Sequence, residues 1–85
     1  MSSRFSDVAL HQIAALAKGP DRDLYDAVVE VCMLALANPP RAQSMSSVIV
    51  SFGGTVLRLP VLGHPPYKVF WTSALPRIEA VFPHP

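Results

Sequence analysis

Tyr67-Lys68-Val69-Phe70-Trp71-Thr72, Ser73-Ala74-Leu75-Pro76 and Arg77-Ile78-Glu79-Ala80-Val81-Phe82, followed by Pro83-His84-Pro85, decide how this chain folds. Two runs rich in β-branched and aromatic residues flank a turn-like spacer, which is the pattern of a β-hairpin closing the domain. Working back from it, Leu62-Gly63-His64-Pro65-Pro66 reads as a preceding turn. Before that turn, Val48-Ile49-Val50-Ser51-Phe52 and Thr55-Val56-Leu57-Arg58-Leu59-Pro60-Val61 read as two strands around Gly53-Gly54. A Gly-Gly pair suits the positive φ angles of a tight hairpin turn. Four strands in an antiparallel meander are expected, preceded by a polar loop over residues 41–47.

The first half of the chain has helical periodicity instead. Ser6 is a good N-cap, Asp7 complements the positive helix end, and Leu10, Ile13, Leu16 and Ala17 recur at helical spacing. Lys18-Gly19-Pro20 supplies a basic last turn, a left-handed glycine and a breaker, so a first helix is expected over residues 6–18. Asp21 or Asp23 caps the next helix. There Leu24, Val28, Val31 and Ala35 form one apolar stripe, and Tyr25, Val29, Cys32 and Leu36 an adjacent one. An arc this wide packs on its neighbour helix and on a sheet, and Asn38-Pro39-Pro40 stops it. The short Gly19-Pro20 link implies an antiparallel helical pair. Helices first and strands afterwards predict an α+β domain with two N-terminal antiparallel helices packed on one face of a small antiparallel sheet. Arg4 and Phe5 offer a short additional edge strand.

Composition bounds the possibilities. With 85 residues, 51% of them hydrophobic and 15% charged, the chain suits one domain over residues 1–85, without the signature of disorder. The small core makes an obligate partner plausible. The longest apolar stretch, residues 27–37, is too short to cross a bilayer, so no membrane association is expected. Residues 1–7 lack the apolar core of a secretory signal, and Cys32 has no cysteine to pair with; both fit the cytoplasm. Cys32 reads as a small buried hydrophobe rather than a catalytic thiol. His11, His64 and His84 are too dispersed for a zinc site, and neither metal nor cofactor is expected.

Charge is unevenly spread. Before Asn38, three basic residues face five acidic ones; after it, Arg41, Arg58, Lys68 and Arg77 face only Glu79. Positive potential therefore gathers on the C-terminal half, where a polyanion would bind, although a scattered solvated surface accounts for four cations equally well. Strand alternation sharpens the picture. Thr55, Leu57, Leu59 and Val61 share one face, toward the helices, which leaves Arg58 on the open face. Lys68, Phe70 and Thr72 oppose Tyr67, Val69 and Trp71 in the same way.

Two N-terminal helices, the strand carrying Leu57-Arg58-Leu59, and the Tyr67-Lys68-Val69-Phe70-Trp71 hairpin ending near a histidine together resemble the RelE/ParE family of bacterial toxins. The likeness runs from about Arg4 to Pro85 and lies in element order, size and the closing hairpin. It implies a toxin held inactive by an antitoxin protein whose extended segment wraps around it. In the ribonuclease branch such toxins cut messenger RNA in the ribosomal A site without a metal; in the other branch they poison DNA gyrase. A degenerate member that chiefly binds its antitoxin is a third possibility.

Metal-free RNA cleavage needs a proton acceptor for the attacking 2′-hydroxyl, a donor for the leaving 5′-oxygen, and cations on the phosphorane. By resemblance, Arg58 stands where family members carry the arginine that binds the scissile phosphate, a task suited to its guanidinium fork. A solvated strand arginine or a clamp for an antitoxin carboxylate is the alternative. By the same resemblance, His84 matches the C-terminal histidine used near the leaving group, and a histidine serves as acid or base near neutral pH. Lys68 and Arg77 are candidates for RNA backbone contact, or simply solubilise a strand edge. Tyr67 and Trp71 are candidates for stacking a base, with period-2 spacing favouring the core or the antitoxin groove. A ribosome-dependent endoribonuclease acting on mRNA is the favoured reading.

Overall fold

The computed structural model describes residues 4–50 and 53–85, with Ser51 given by its backbone. Phe52, expected to end the first strand, lies outside the described residues. Helix α1 (Asp7–Lys18) begins where expected, with the Ser6 hydroxyl accepting from the Ala9 N–H. That hydroxyl also donates to the Glu79 carbonyl, so one side chain caps the helix and ties it to the last strand. Gly19 is extended at φ −79° rather than left-handed, because Pro20 follows it and pushes it out of the helical region. Helix α2 (Arg22–Ala37) is capped by Asp21, whose carboxylate accepts from the Leu24 N–H. Asp21, not Asp23, is the cap.

The expected loop after α2 is instead a short helix, α3 (Pro39–Ser44). Asn38 ends one helix and starts the next. Its N–H donates to the Leu34 carbonyl of α2, and its side chain accepts from the Arg41 N–H of α3. Pro39 and Pro40 then fill first-turn positions, where the missing N–H has no helical partner to lose. The same prolines that stop α2 therefore start α3.

Strands β1 (Ser47–Ser51), β2 (Gly54–Pro60), β3 (Tyr67–Thr72) and β4 (Arg77–Pro83) form one antiparallel meander in the order β1-β2-β3-β4. Gly54, at φ +117°, makes the β1–β2 turn. Ser47, expected in the loop, is the first residue of β1 and pairs with Arg58. Val61 lies just past β2 but stays buried, its N–H donating to the Tyr67 carbonyl at 3.0 Å. Register shifts between Phe70 and Trp71, where an extra residue bulges β4. At the outer edge of β4, Phe5 forms a parallel bridge with Ile78, so among the described residues the N-terminal edge element amounts to one residue pair.

The two long helices cover one face of β3 and β4, and α3 reaches β2. Between the layers lie Val28, Cys32 and Ala35 from α2, Leu57 and Leu59 from β2, Val69 and Trp71 from β3, and Ile78 and Val81 from β4. Trp71 is wholly buried, and its indole N–H donates to the Ser46 hydroxyl at 3.1 Å. The helices do not extend over β1. Val48 and Val50 on that strand are consequently 62% and 81% exposed, and Thr55 opposite Val50 is exposed too, although its alternation points it toward the helical side. Among the described residues, no helix is long and apolar enough to cross a membrane.

Trp71 is the largest fully buried side chain, and Trp71→Ala is expected to cost about 3–5 kcal/mol in urea unfolding. Burial pushes the Cys32 thiol up to about 12. The unfolded chain loses that proton from about pH 9 while the folded chain keeps it, so stability is insensitive to this thiol below pH 9 and falls as pH rises toward 12. Native protein should accordingly resist an aromatic disulfide reagent at pH 8 and react with one equivalent only when unfolded.

Candidate nucleic-acid interface

The sheet face turned away from the helices carries the residues with chemistry. Arg58 lies opposite Ser47 on β1 and Phe70 on β3, so three strands place their side chains on one stretch of this face. Its Nε donates to the Ser47 hydroxyl at 3.1 Å, and NH1 meets His84 Nδ1 at 2.9 Å. A guanidinium has only donors, so Nδ1 must accept and the ring proton resides on Nε2. The hydrogen bond thereby selects the Nε2–H tautomer, in which Nε2–H can donate to a further acceptor.

His84 follows directly after β4 and is held at both ends of the residue. Its backbone N–H donates to the Pro66 carbonyl at 2.9 Å, while its ring stands edge-on to Phe70 at 5.4 Å and to Phe82 at 6.1 Å. Phe70 and Phe82 themselves stack, with centroids 4.6 Å apart. This stack explains why Phe70 is buried on a face that the helices do not cover. Phe82 shields it and keeps 36% of its own surface open to solvent. The exposed ring offers an apolar plane beside the Arg58–His84 pair.

Lys68 pairs with Pro60 and Phe82, one pleat along from Arg58. Its ammonium donates at 3.0 Å to the Pro66 carbonyl, the same oxygen that holds the His84 N–H. Among the described residues, neither Arg58 nor Lys68 has a carboxylate partner; the ion pairs are Arg22–Asp26 and Arg77–Glu79. Two uncompensated cations, an imidazole and an exposed aromatic ring thus share one patch. Such a patch attracts a phosphodiester with an unstacked base.

Of the residues singled out in sequence, Arg58, His84 and Lys68 come together. Arg77 does not. It starts β4, at most about 23 Å along the chain from His84 at ~3.3 Å per residue, and its guanidinium lies 3.8 Å from Glu79. Tyr67 also stands apart, half-buried on the helical side, where it packs on the core. Trp71 is interior, which removes it from base stacking. Phe70, which alternation already placed on the face of Lys68, joins them, and Phe82 and Ser47 complete the patch without having been expected there. Phe82 enters by pairing directly with Lys68, and Ser47 by pairing with Arg58; both depend on register between strands, which alternation within one strand does not give.

On the opposite side of the sheet, a groove of about 610 Å³ runs between α2, α3 and β2. Val31, Leu34, Met45, Leu59 and Leu62 line it, and Glu30 and Arg41 contribute charges. It is a second, mainly apolar surface, separate from the cationic patch. The chain matches no protein-family model, no curated protein and no solved structure. The geometry above therefore carries the functional argument.

The tautomer is directly measurable. Long-range proton–nitrogen correlation spectra near pH 8 should show His84 as the Nε2–H form, and Arg58→Met should restore a mixture of the two tautomers. A dominant Nδ1–H form in the parent protein would contradict the Arg58–His84 hydrogen bond.

Proposed function

We propose that this protein is the toxin of a toxin–antitoxin pair, acting in the cytoplasm as a ribosome-dependent, metal-free endoribonuclease that cuts messenger RNA and blocks translation. The observation that carries this reading is the 2.9 Å contact between Arg58 and His84 on a cationic face. These are the residues that the RelE/ParE resemblance assigns to the scissile phosphate and the leaving group.

The chemistry follows from the donors present. Arg58 spends one N–H on Ser47 and one on His84, leaving its remaining N–H groups for phosphate oxygens. A bound phosphodiester draws NH1 off Nδ1, which frees the imidazole lone pair to take the 2′-hydroxyl proton as that oxygen attacks phosphorus. Nε2–H then passes its proton to the departing 5′-oxygen. A 2′,3′-cyclic phosphate and a 5′-hydroxyl result, with the imidazole neutral again. Arg58 and Lys68 balance the phosphorane charge, and Phe82 offers its open face to a neighbouring base. With two cations free of a carboxylate partner among the described residues of this face, the ribosome is assigned the task of orienting the message.

The apolar groove between α2, α3 and β2 supports the antitoxin as partner, because an extended segment with apolar side chains would fill it.

Primer extension on mRNA in a cell-free translation reaction tests the activity. Cuts are expected only with ribosomes present, and Arg58→Ala or His84→Ala should lower cleavage by roughly 100-fold or more. Absence of cuts at any dose, with inhibition of gyrase supercoiling instead, would replace this reading by that of a toxin acting through binding. Inactivity in both assays with retained antitoxin binding would identify a degenerate member.

A further inference from the structure

The two edges of the sheet are treated differently. The β4 edge is closed: Phe5 bridges Ile78, Ser6 N–H donates to the Ile78 carbonyl, Ile78 N–H donates to the Arg4 carbonyl, and the Gln12 side chain accepts from the Val81 N–H. The β1 edge is open. Strand β1 is terminal in the sheet, and among the described residues no hydrogen bond reaches its outer side from another element. Exposed edges are normally guarded by lysine, proline or a bulge. Here residues 42–57 contain no charged residue and no proline, β1 pairs with β2 in unbroken register, and Val48 and Val50 are 62% and 81% exposed.

The sequence of β1 is Ser47-Val48-Ile49-Val50-Ser51, which reads the same in both directions. We infer that β1 is a homodimerisation edge: two copies of the chain pair antiparallel through it about a two-fold axis at Ile49, making one eight-stranded sheet. In that register Ser47 meets Ser51, Val48 meets Val50, and Ile49 meets its own counterpart. Every position faces a residue of its own kind and parity, which is the self-complementarity an isologous contact requires. A partner chosen by charge would find no charge on this strand to select it, and a second copy meets no like-charge repulsion. The four valines of the two copies would gather on the helical face of the sheet, in the stretch beyond β2 that the helices do not reach. Because the axis is normal to the sheet, both Arg58 side chains emerge on the same face, about 20 Å apart from strand spacings of ~4.8 Å and rises of ~3.4 Å. This inference is independent of the activity proposed above.

A five-residue strand pair is a small interface, so dissociation on the order of 10–100 µM is expected. Sedimentation equilibrium of the full chain should show mass rising from 9.2 kDa toward twice that value over this range. Val50→Lys, at an 81% exposed position, should weaken the dimer by roughly tenfold or more while leaving the circular dichroism spectrum unchanged. A second measurement fixes the register. Cysteine at Ile49 (I49C) faces its own copy at about 5 Å and should form a disulfide-linked dimer on mild oxidation, whereas V48C cysteines stand about 8 Å apart and should not. A monomer up to about 1 mM, well above the range of weak specific pairs, would overturn the inference. So would a dimer untouched by Val50→Lys, equal crosslinking from both cysteines, or growth beyond the dimer.

Discussion

Everything in this fold leans on the burial of Trp71 and its neighbours between the helical pair and the sheet. Leu59, Val69, Ile78 and Val81 complete the sheet's contribution, and Val28, Cys32 and Ala35 answer from α2. Roughly 25 cal/mol per Å² of apolar surface removed from water makes such a layer the dominant stabilising term in a chain this short. It also decides where chemistry is possible. Because strand residues alternate, committing Leu57, Leu59, Val69 and Trp71 to the helices leaves Arg58, Lys68 and Phe70 on the other face. The cationic patch is the remainder of the core's own pattern.

That remainder is kept in order by few, shared contacts. The Pro66 carbonyl accepts from both Lys68 and the His84 backbone, and Arg58 bridges Ser47 and His84. The aromatic stack of Phe70, Phe82 and the His84 ring gives the patch a small apolar base without help from a helix. His84, just past β4, is thus fixed by hydrogen bonds and ring contacts rather than by burial in the main core.

Periodicity made much of this legible. Ser6 and Asp21 are readable as caps because their short side chains compete for free N–H groups, and Gly54 because its turn needs positive φ. Arg58 could be placed on the open face because alternation within a strand is a local property. Its approach to His84 was not readable from alternation, since register between strands is set by nonlocal packing. The α3 helix was hidden by Pro39 and Pro40, which are ambiguous between stopping a helix and starting one. Phe70's burial was equally hidden, because its covering residue, Phe82, is twelve residues away and reaches it from the neighbouring strand through register that alternation does not give.

Asn38 has a consequence for the apolar groove. It closes α2 through its backbone and opens α3 through its side chain, with its carbonyl accepting from the Ala42 N–H. The two helices therefore share a single residue and have no linker to flex. Val31 and Leu34 on one wall and Met45 beyond the other are carried by that rigid corner. A molecule entering the groove meets walls already set at their binding angle, and little of its binding free energy is spent on ordering the host.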